Sequence, residues 1–406
     1  MNKSMIRYLL AKLLLIEAML LCVPIVVALL NLKNDFVVKD SPAVFISLFA
    51  TIAILLILGG IGTLFKPKDF HIYAKEGVLI VALCWILWSF FGALPFVFSG
   101  QIPNIIDALF EISSGFTTTG ATILNDVSVL SPSLLFWRSF THLIGGMGVL
   151  VFALAIMDNN KNSHLEVINA EVPGPVFGKI VSKLKNTAQI LYYLYLALFF
   201  LFVIIYFRAG MPLYDSFIIA MGTAGTGGFT VFNDGIAHYH STLITYLVSF
   251  GVLVFGVNFN LYYYIMLRKF KAFFGDEELR TYLVIVGVSS LLIACNIFHL
   301  YHNFADSFEM SFFQVSNVIT TTGFGFGNTV DWPLFSQFLL LMLMVIGGSA
   351  GSTAGGLKVI RFLILARIGK NQIRSTLSPN RVMTLHVNGT ALDKDTQHKI
   401  LKYFVV

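Results

Sequence analysis

Eight long apolar runs, separated by polar and turn-forming residues, divide the chain: 8–30, 43–65, 77–98, 134–157, 187–208, 241–267, 281–300 and 334–368. A helix needs about 20 apolar residues to cross the hydrocarbon core of a bilayer, so each run predicts a membrane-spanning helix. The last is longer than one clean span and is interrupted by GGSAGSTAGG. Between runs three and four, five and six, and seven and eight lie shorter segments of one design. Each sets an acidic residue before about one short helix of apolar and small residues (107–116, 215–224, 308–319) and ends in Thr/Gly-rich backbone. Gly120 in FTTTGAT stands 13 residues after Asp107, Gly228 in TGGFT stands 13 after Asp215, and the third copy, TTTGFG, carries Gly323. The unit of helix, re-entrant loop and helix therefore occurs three times after two N-terminal helices, and this repeat sets the architecture. The predicted fold class is an all-α membrane protein. It has two N-terminal transmembrane helices (1–70), repeats at 71–160, 161–272 and 273–370, the third with a broken last helix, and a basic tail (371–406).

Thr/Gly-rich backbone makes a poor helix interior, because glycine loses the most backbone entropy on ordering and threonine is stiff at χ1. Its free carbonyls would be intolerable against lipid, but they are tolerated where they line a path filled by water or ions. Several such loops around one axis can replace the hydration shell of a cation with carbonyl oxygens. The candidate ion-binding residues are Thr118, Thr119, Gly120, Thr226, Gly227, Gly228, Thr321, Thr322 and Gly323. The short helices ahead of them would aim partially negative C-terminal ends at the same point.

Composition supports a membrane protein: 57% of the 406 residues are hydrophobic and 12% charged, against roughly 25% charge in a soluble domain. The N-terminal run is long enough to span and shows no small-residue cleavage site, so it reads as a retained helix. Cys22, Cys84 and Cys295 fall in apolar runs and read as small buried hydrophobes, neither a disulfide frame nor a metal site. Charge placement tests the topology independently. Lys3, Arg7 and Lys12 put the N-terminus on the cytoplasmic side. Alternation then brings to that side Lys66, Lys68 and Lys75; Lys161, Lys179, Lys183 and Lys185; Arg268, Lys269, Lys271 and Arg280; and the tail from Lys358. Of 27 basic residues only Lys33, Lys39, Arg138 and Arg208 remain for the outer side. Asp35, Asp40, Asp107, Glu111, Asp126, Asp215, Asp234, Asp306, Glu309 and Asp331 fall there, and a negative mouth favours cation entry. Each acid taken singly is equally explained by its offsetting the dipole at a helix start.

The stretch IGGSAGSTAGGLK at 346–358 fails as a phosphate-binding loop, because Leu357 separates Gly356 from Lys358 and Val359 follows. Close helix packing is one account of it; a flexible intramembrane loop lining a path is the better one. Gly347, Gly348, Gly351, Ser352, Thr353, Gly355 and Gly356 are then candidate gate residues. In HLIGGMG, Gly145, Gly146 and Gly148 read as helix-packing positions and His142 as a satisfied packing residue. No His, Cys or carboxylates cluster at metal spacing and no nucleophile stands beside a base, so the sequence predicts neither an enzyme nor a bound cofactor, with a cation as substrate only.

The strings SGFTTTGAT at 114–122, WRSFTHLIGGMG at 137–148, TGGFT at 226–230, TTTGFG at 320–325 and GGSAGSTAGGLKVIRF at 347–362 resemble the Trk/Ktr/HKT family of potassium uptake proteins, most of all its bacterial Trk branch. The resemblance covers nearly the whole chain. It implies potassium uptake down an electrochemical gradient across the bacterial cytoplasmic membrane, through a four-repeat pore with one filter loop per repeat. The Gly-rich break would lie under the filter as its gate. Glycine at the filter positions goes with potassium preference in this family, serine at the first with sodium. The resemblance also implies a homodimer and a cytosolic, TrkA-like nucleotide-binding regulatory subunit, with no nucleic-acid partner. One departure stands out. A fourth filter glycine is expected beyond position 406, where HKILKYFVV could begin another membrane helix. The expectation is that this chain alone does not conduct normally, being either truncated or completed by a separate chain carrying the fourth repeat. Two rival readings stay open: an ion-coupled secondary transporter, for which Glu17 is the one acid placed well inside a span, and a non-conducting regulatory subunit.

Overall fold

The structure, a computed structural model, describes residues 2–30, 39–69, 74–148, 184–377, 384–392 and 394–405. Run 8–30 is two helices, α1 (Lys3–Leu20) and α2 (Cys22–Leu30), which together make one span of 28 residues. Pro24 sits in the first turn of α2, where its missing N–H costs nothing. The next spans are α3 (Pro42–Leu64), α4 (Ala74–Phe98) and α6 (Pro132–Gly146), with the short helix α5 (Ile105–Phe116) ahead of α6. The end of the expected span 134–157 lies outside the described residues, as do Lys33, Asp35, Lys161, Lys179 and Lys183. The second repeat supplies α7 (Leu184–Arg208), the short α8 (Leu213–Gly225) and α9 (Thr242–Phe255).

Run 241–267 is not the single helix its hydropathy predicts. It breaks after α9, and α10 (Phe259–Met266) is bent from α9 by 92°. The break is stabilised because its freed carbonyls find partners: Gly256 O accepts from Ser349 N–H at 3.0 Å and Phe255 O from the Thr353 hydroxyl at 3.2 Å. A short α11 (Phe270–Gly275) leads to α12 (Glu277–Tyr301), α13 (Phe304–Ile319), α14 (Leu334–Ile346) and α15 (Val359–Leu377). Residues 347–358 interrupt the last expected span between α14 and α15. Beyond α15, the stretch expected to begin a further helix is helical as far as Val405. His386–Val387 and Thr390–Ala391 pair as a hairpin, with Asn388 and Gly389 both at positive φ in the turn. The helix α16 (Lys394–Val405) packs on α15, with Ile400 buried beside Ile360 and Ile364 and Phe404 edge-on to Phe362.

Two compact units emerge among the described residues. One holds residues up to 148, 184–251 and 322–327; the other holds 252–321 and 328–405. In the first, α1 packs on α3 and α4, and α5 packs between α4 and α6. Phe116 closes this core against Trp88 and Trp137, with centroid distances of 5.5 and 6.1 Å. The Trp137 indole donates to Gly92 O at 3.0 Å, as a buried indole must. In the second unit α12 is the spine, with Tyr282, Val286, Ile293 and Ile297 facing Val315, Ile319 and Leu343. Large apolar side chains such as Ile46, Ile57, Val284, Leu292 and Phe338 stand exposed, the reverse of a water-soluble surface and suited to lipid contact. Cys84 is buried as expected, but Cys22 and Cys295 are on exposed faces: an apolar run in a membrane helix has an outward side that the protein does not cover.

Candidate functional site

The three Thr/Gly loops share one backbone. The short helices before them are started by polar caps or proline and closed by threonine. Asn104 and Asn303 accept from Ile106 and Ala305 N–H, Pro212 precedes α8, and Asp107, Asp215 and Asp306 occupy first turns. At the other end Thr118, Thr226 and Thr321 have φ of 52°, 50° and 55°, and Gly120, Gly228 and Gly323 follow two residues later at 75°, 81° and 77°. Thr118, Thr226 and Thr321 N–H reach back to Gly115, Thr223 and Val318 O, while Thr119 and Gly227 N–H reach Ser114 and Gly222 O. This is the Schellman way of ending a helix, with a β-branched residue at the left-handed position where glycine is usual. Such a conformation costs roughly 1–3 kcal/mol, and here it occurs three times at matching positions. Alternating left- and right-handed residues swing successive carbonyls toward one side of a strand, the arrangement that lets backbone replace a cation's water.

The loops also pack on each other in order. A β-carbon on Gly120 would overlap the carbonyl oxygen of Gly227, and one on Gly228 would overlap that of Thr322. Each glycine thus faces the residue just before the glycine of the next loop, one rotational step repeated twice. Among the described residues, nothing lies within 4 Å of a β-carbon built on Gly323. The segments after the loops are tied in the same order. Asn233 accepts from Val127 N–H and donates to Asp126, both at 3.0 Å, and Ile236 N–H donates to Gly325 O at 2.9 Å. Asp126 also accepts from Ser128 N–H and Oγ, and these bonds with that of Asn233 hold its carboxyl below the ordinary range.

Behind the loops lie residues to which the sequence reading gave no part in holding them. Glu111, counted above among the mouth acids, is fully buried against Arg138 at 2.5 Å, so neither charge reaches solvent. Glu111 also accepts from Thr122 Oγ1 at 2.9 Å and from Ile123 N–H at 3.1 Å. Asp215 is likewise buried and accepts from the Tyr239 hydroxyl at 3.2 Å. Exposed acids remain at Asp126, Asp234, Asp306 and Asp331. His142 does more than fill space: its Nδ1 donates to Gly115 O at 3.1 Å and its ring occupies the place a side chain on Gly227 would need. Gly145 and Gly146 let α6 approach Phe116 and Gly225 backbone to backbone. The signal for these contacts was the charge of Glu111 and Arg138 near runs that otherwise carry none, together with the i, i+4 spacing of Arg138 and His142 on one helix face.

In the second unit the Gly-rich loop is a closed neck. Gly347 and Gly356, both at positive φ, pack Cα on Cα. Lys358 N–H donates to Ile346 O at 2.8 Å and Val359 N–H to Gly348 O at 3.0 Å. Side chains hold the middle. Thr321 Oγ1 accepts from Gly355 N–H at 2.8 Å, and the Ser352 hydroxyl donates to Ser349 O at 2.6 Å. Gly351 O accepts from Phe259 N–H at 3.0 Å. Glu278, 5% exposed, receives Ala350 N–H at 2.7 Å and Ile360 N–H at 3.2 Å on one carboxylate oxygen, and the Lys358 ammonium caps Ala354 O. Just before Glu278, Asp276 and Glu277 hold Asn388 of the hairpin, and Glu277 pairs with Arg367 at 2.8 Å.

Residues 42–406 match the TrkH family, described as a cation transport protein. The "Trk system potassium uptake protein TrkH" of Salmonella typhimurium is 35% identical over 340 residues, 82% of this chain and 70% of that protein. Its Escherichia coli K12 counterpart is 35% identical over 348 residues, 84% and 71% of the two chains. The crystal structure of the potassium transporter TrkH from Vibrio parahaemolyticus superposes with a TM-score of 0.87 at 29% identity, covering 100% of this chain and 83% of that one. The chain belongs to the TrkH family of cation transport proteins.

Proposed function

We propose that this chain forms the membrane pore of a potassium uptake system, with Thr118–Gly120, Thr226–Gly228 and Thr321–Gly323 as walls of a selectivity filter and Gly347–Gly356 as its gate. The observation that carries the reading is the repeated Thr-x-Gly backbone, left-handed at both ends and packed glycine-to-carbonyl from one loop to the next. Carbonyl oxygens fixed in this way can replace the water of a potassium ion without reorganising. Relatives named for potassium uptake support the choice of ion. Glycine at all three positions supports potassium over sodium. The open side at Gly323 is where a further loop of the same kind closes the ring, whichever polypeptide carries it. Lys3, Arg7 and Lys12 support a cytoplasmic N-terminus, and the membrane is then the bacterial inner one. Dimerisation and a nucleotide-binding regulatory subunit docking on the tail are part of this proposal.

The test is growth at limiting potassium, with rubidium uptake, in a bacterium lacking its own potassium transport. Residues 1–406 are expressed alone and beside a fragment carrying one further loop repeat, each with and without Gly120→Ser. Uptake that needs the fragment, and loses preference over sodium in the Gly120→Ser variant, is the expected result. Absence of rubidium uptake in both forms sinks the pore reading, and unchanged selectivity in Gly120→Ser sinks the filter assignment. A second reading, an ion-coupled carrier, draws on Glu17, which is fully buried with neither carboxylate oxygen hydrogen-bonded among the described residues. It predicts rubidium uptake that follows the proton gradient at fixed membrane potential and loses this dependence in Glu17→Gln.

A further inference from the structure

The contacts behind the first two loops are of a different kind from those at the third. Glu111 lies on α5, the short helix of the first loop, and Arg138 and His142 lie one turn apart on α6. The Glu111 carboxylate is bonded to Thr122 and Ile123, the residues by which the first loop leaves the ring. Its other partner is Arg138 Nε. The guanidinium carbon of Arg138 lies over the ring of Phe229, 3.4 Å from its centroid, and His142 packs on the same ring at a centroid distance of 4.0 Å. Phe229 directly follows Gly228, so it is the residue by which the second loop leaves the ring. All three polar side chains are fully buried. Counting 108 positions on, the spacing of Gly120 and Gly228, the second repeat has Ile219, Tyr246 and Phe250 where the first has Glu111, Arg138 and His142. The charged pair is therefore not a property of the repeat.

We infer that Arg138 is a positioning residue for selectivity, a bracket that fixes the exit of the first filter loop through Glu111 and that of the second through Phe229. A buried ion pair is a poor source of net stability, since desolvation offsets its attraction, but a planar guanidinium fixes direction as well as distance. Here its Nε–H bonds a carboxylate that holds one loop, and its guanidinium lies over the ring that anchors the other. Lysine at 138 would keep the charge and lose both constraints. His142 completes the bracket from below. Its Nδ1–H is committed to Gly115 O, which fixes the ring plane against Gly227 and Phe229. Selectivity between ions of different size needs the distance between the two loops to be held, and Arg138 spans it from behind, through Glu111 on one side and Phe229 on the other.

The inference rests on the pore reading, and the test separates the two. Rubidium uptake and its competition by sodium are measured in vesicles holding the full chain in whichever form supports uptake, with the amount of membrane-inserted protein measured alongside. Expected for the paired Glu111→Gln, Arg138→Met variant is a fall in rubidium-over-sodium preference of roughly tenfold, as displacing a positioned group by less than an ångström can produce. Arg138→Lys is expected to fall nearly as far. Phe229→Leu should lose about a third as much on a logarithmic scale, and Phe229→Tyr, which keeps the aromatic face, should restore it. A structural role alone would lower uptake of both ions in proportion to inserted protein and leave the preference unchanged; that result overturns the inference while leaving the pore standing. If the paired variant does not insert, the Phe229→Leu and Phe229→Tyr pair decides: equal preference in both overturns the bracket. Absence of rubidium uptake by the unaltered chain fails the pore reading instead.

Discussion

The glycines of the three Thr/Gly loops and those of the Gly-rich loop meet different neighbours. Gly120 and Gly228 each pack on the carbonyl oxygen of an adjoining loop. Backbone lies on backbone there, and no side chain can swing away to relieve a change. In the Gly-rich loop the neck, Gly347 on Gly356, is of that kind, and Ser349 and Gly351 bond the backbone of Gly256 and Phe259. Its middle is held as well by groups on rotatable side chains: the Glu278 carboxylate, the Thr321 and Thr353 hydroxyls and the Lys358 ammonium. A side-chain anchor can release without breaking the fold, whereas a backbone contact cannot. On the proposed reading the same residue type serves a fixed aperture in one place and a detachable one in the other, and the difference lies in what surrounds the glycine.

The largest effect should come from making the ring's contacts unequal. Alanine at a left-handed position costs about 1–2 kcal/mol by itself. At Gly120 and Gly228 it must also displace a carbonyl oxygen, and overpacking adds roughly 1–3 kcal/mol. Gly323→Ala has the first cost without the second among the described residues. Rubidium uptake in vesicles should fall much further in Gly120→Ala and Gly228→Ala than in Gly323→Ala. If all three are reduced equally, the ordered packing of the loops has no bearing on conduction.

A smaller effect of another kind is expected in the Gly-rich loop. Glu278→Gln keeps an oxygen for Ala350 and Ile360 N–H but removes the charge that strengthens both bonds, a loss of about 1 kcal/mol. Uptake of rubidium should rise several-fold as the loop releases more often, with its preference over sodium unchanged, and Glu278→Ala should go further. A changed preference in Glu278→Gln would mean that aperture and gate are not separable functions.

Much of this was legible in the sequence, for physical reasons that particular residues make plain. The spans Pro42–Leu64, Leu184–Arg208 and Glu277–Tyr301 follow hydropathy, because lipid demands an unbroken apolar stretch whatever its neighbours are. The loops could be found from Thr118–Gly120 and its two copies, because glycine at a fixed offset answers a backbone need. The break at Gly256 could not. Only a second broken segment, supplying Ser349 N–H and the Thr353 hydroxyl to the open carbonyls, makes it stable, and hydropathy does not register such long-range pairing. Glu111 and Asp215 were misread as mouth charges for the same reason: an acid looks solvated in sequence until its buried partner, Arg138 or Tyr239, is located. The tail's HKILKYFVV has the apolar content of a helix start and folds as a helix, with Ile400 and Phe404 packed on α15.

The mildest way to sharpen the contrast is at Asn233, where a side chain rather than backbone joins two parts of the ring. Its amide bridges Val127 N–H and Asp126, linking the exits of the first two loops. The bridge is exposed at Asp126 and Asn233, so water can replace it. Asn233→Ala should lower rubidium preference by no more than about twofold at neutral pH, since exposed hydrogen bonds contribute little. The pH dependence gives the sharper reading. Asp126 is held below the ordinary carboxylate range by Ser128 and then Asn233. A depressed pKa contributes stability that is fully present above the unfolded value, about 3.9, and is lost as pH falls through the folded one. The bridge should therefore be intact from pH 5 to 8 on the general scale of carboxylate titration and weaken only in stronger acid. Rubidium preference measured with the Asp126 side of the vesicle acidified below about pH 4 should then drop in the unaltered protein toward the value of Asn233→Ala, and the variant should move less. An equal drop in both would trace the acid effect to a group other than Asp126 and leave the ring joined by its backbone contacts alone.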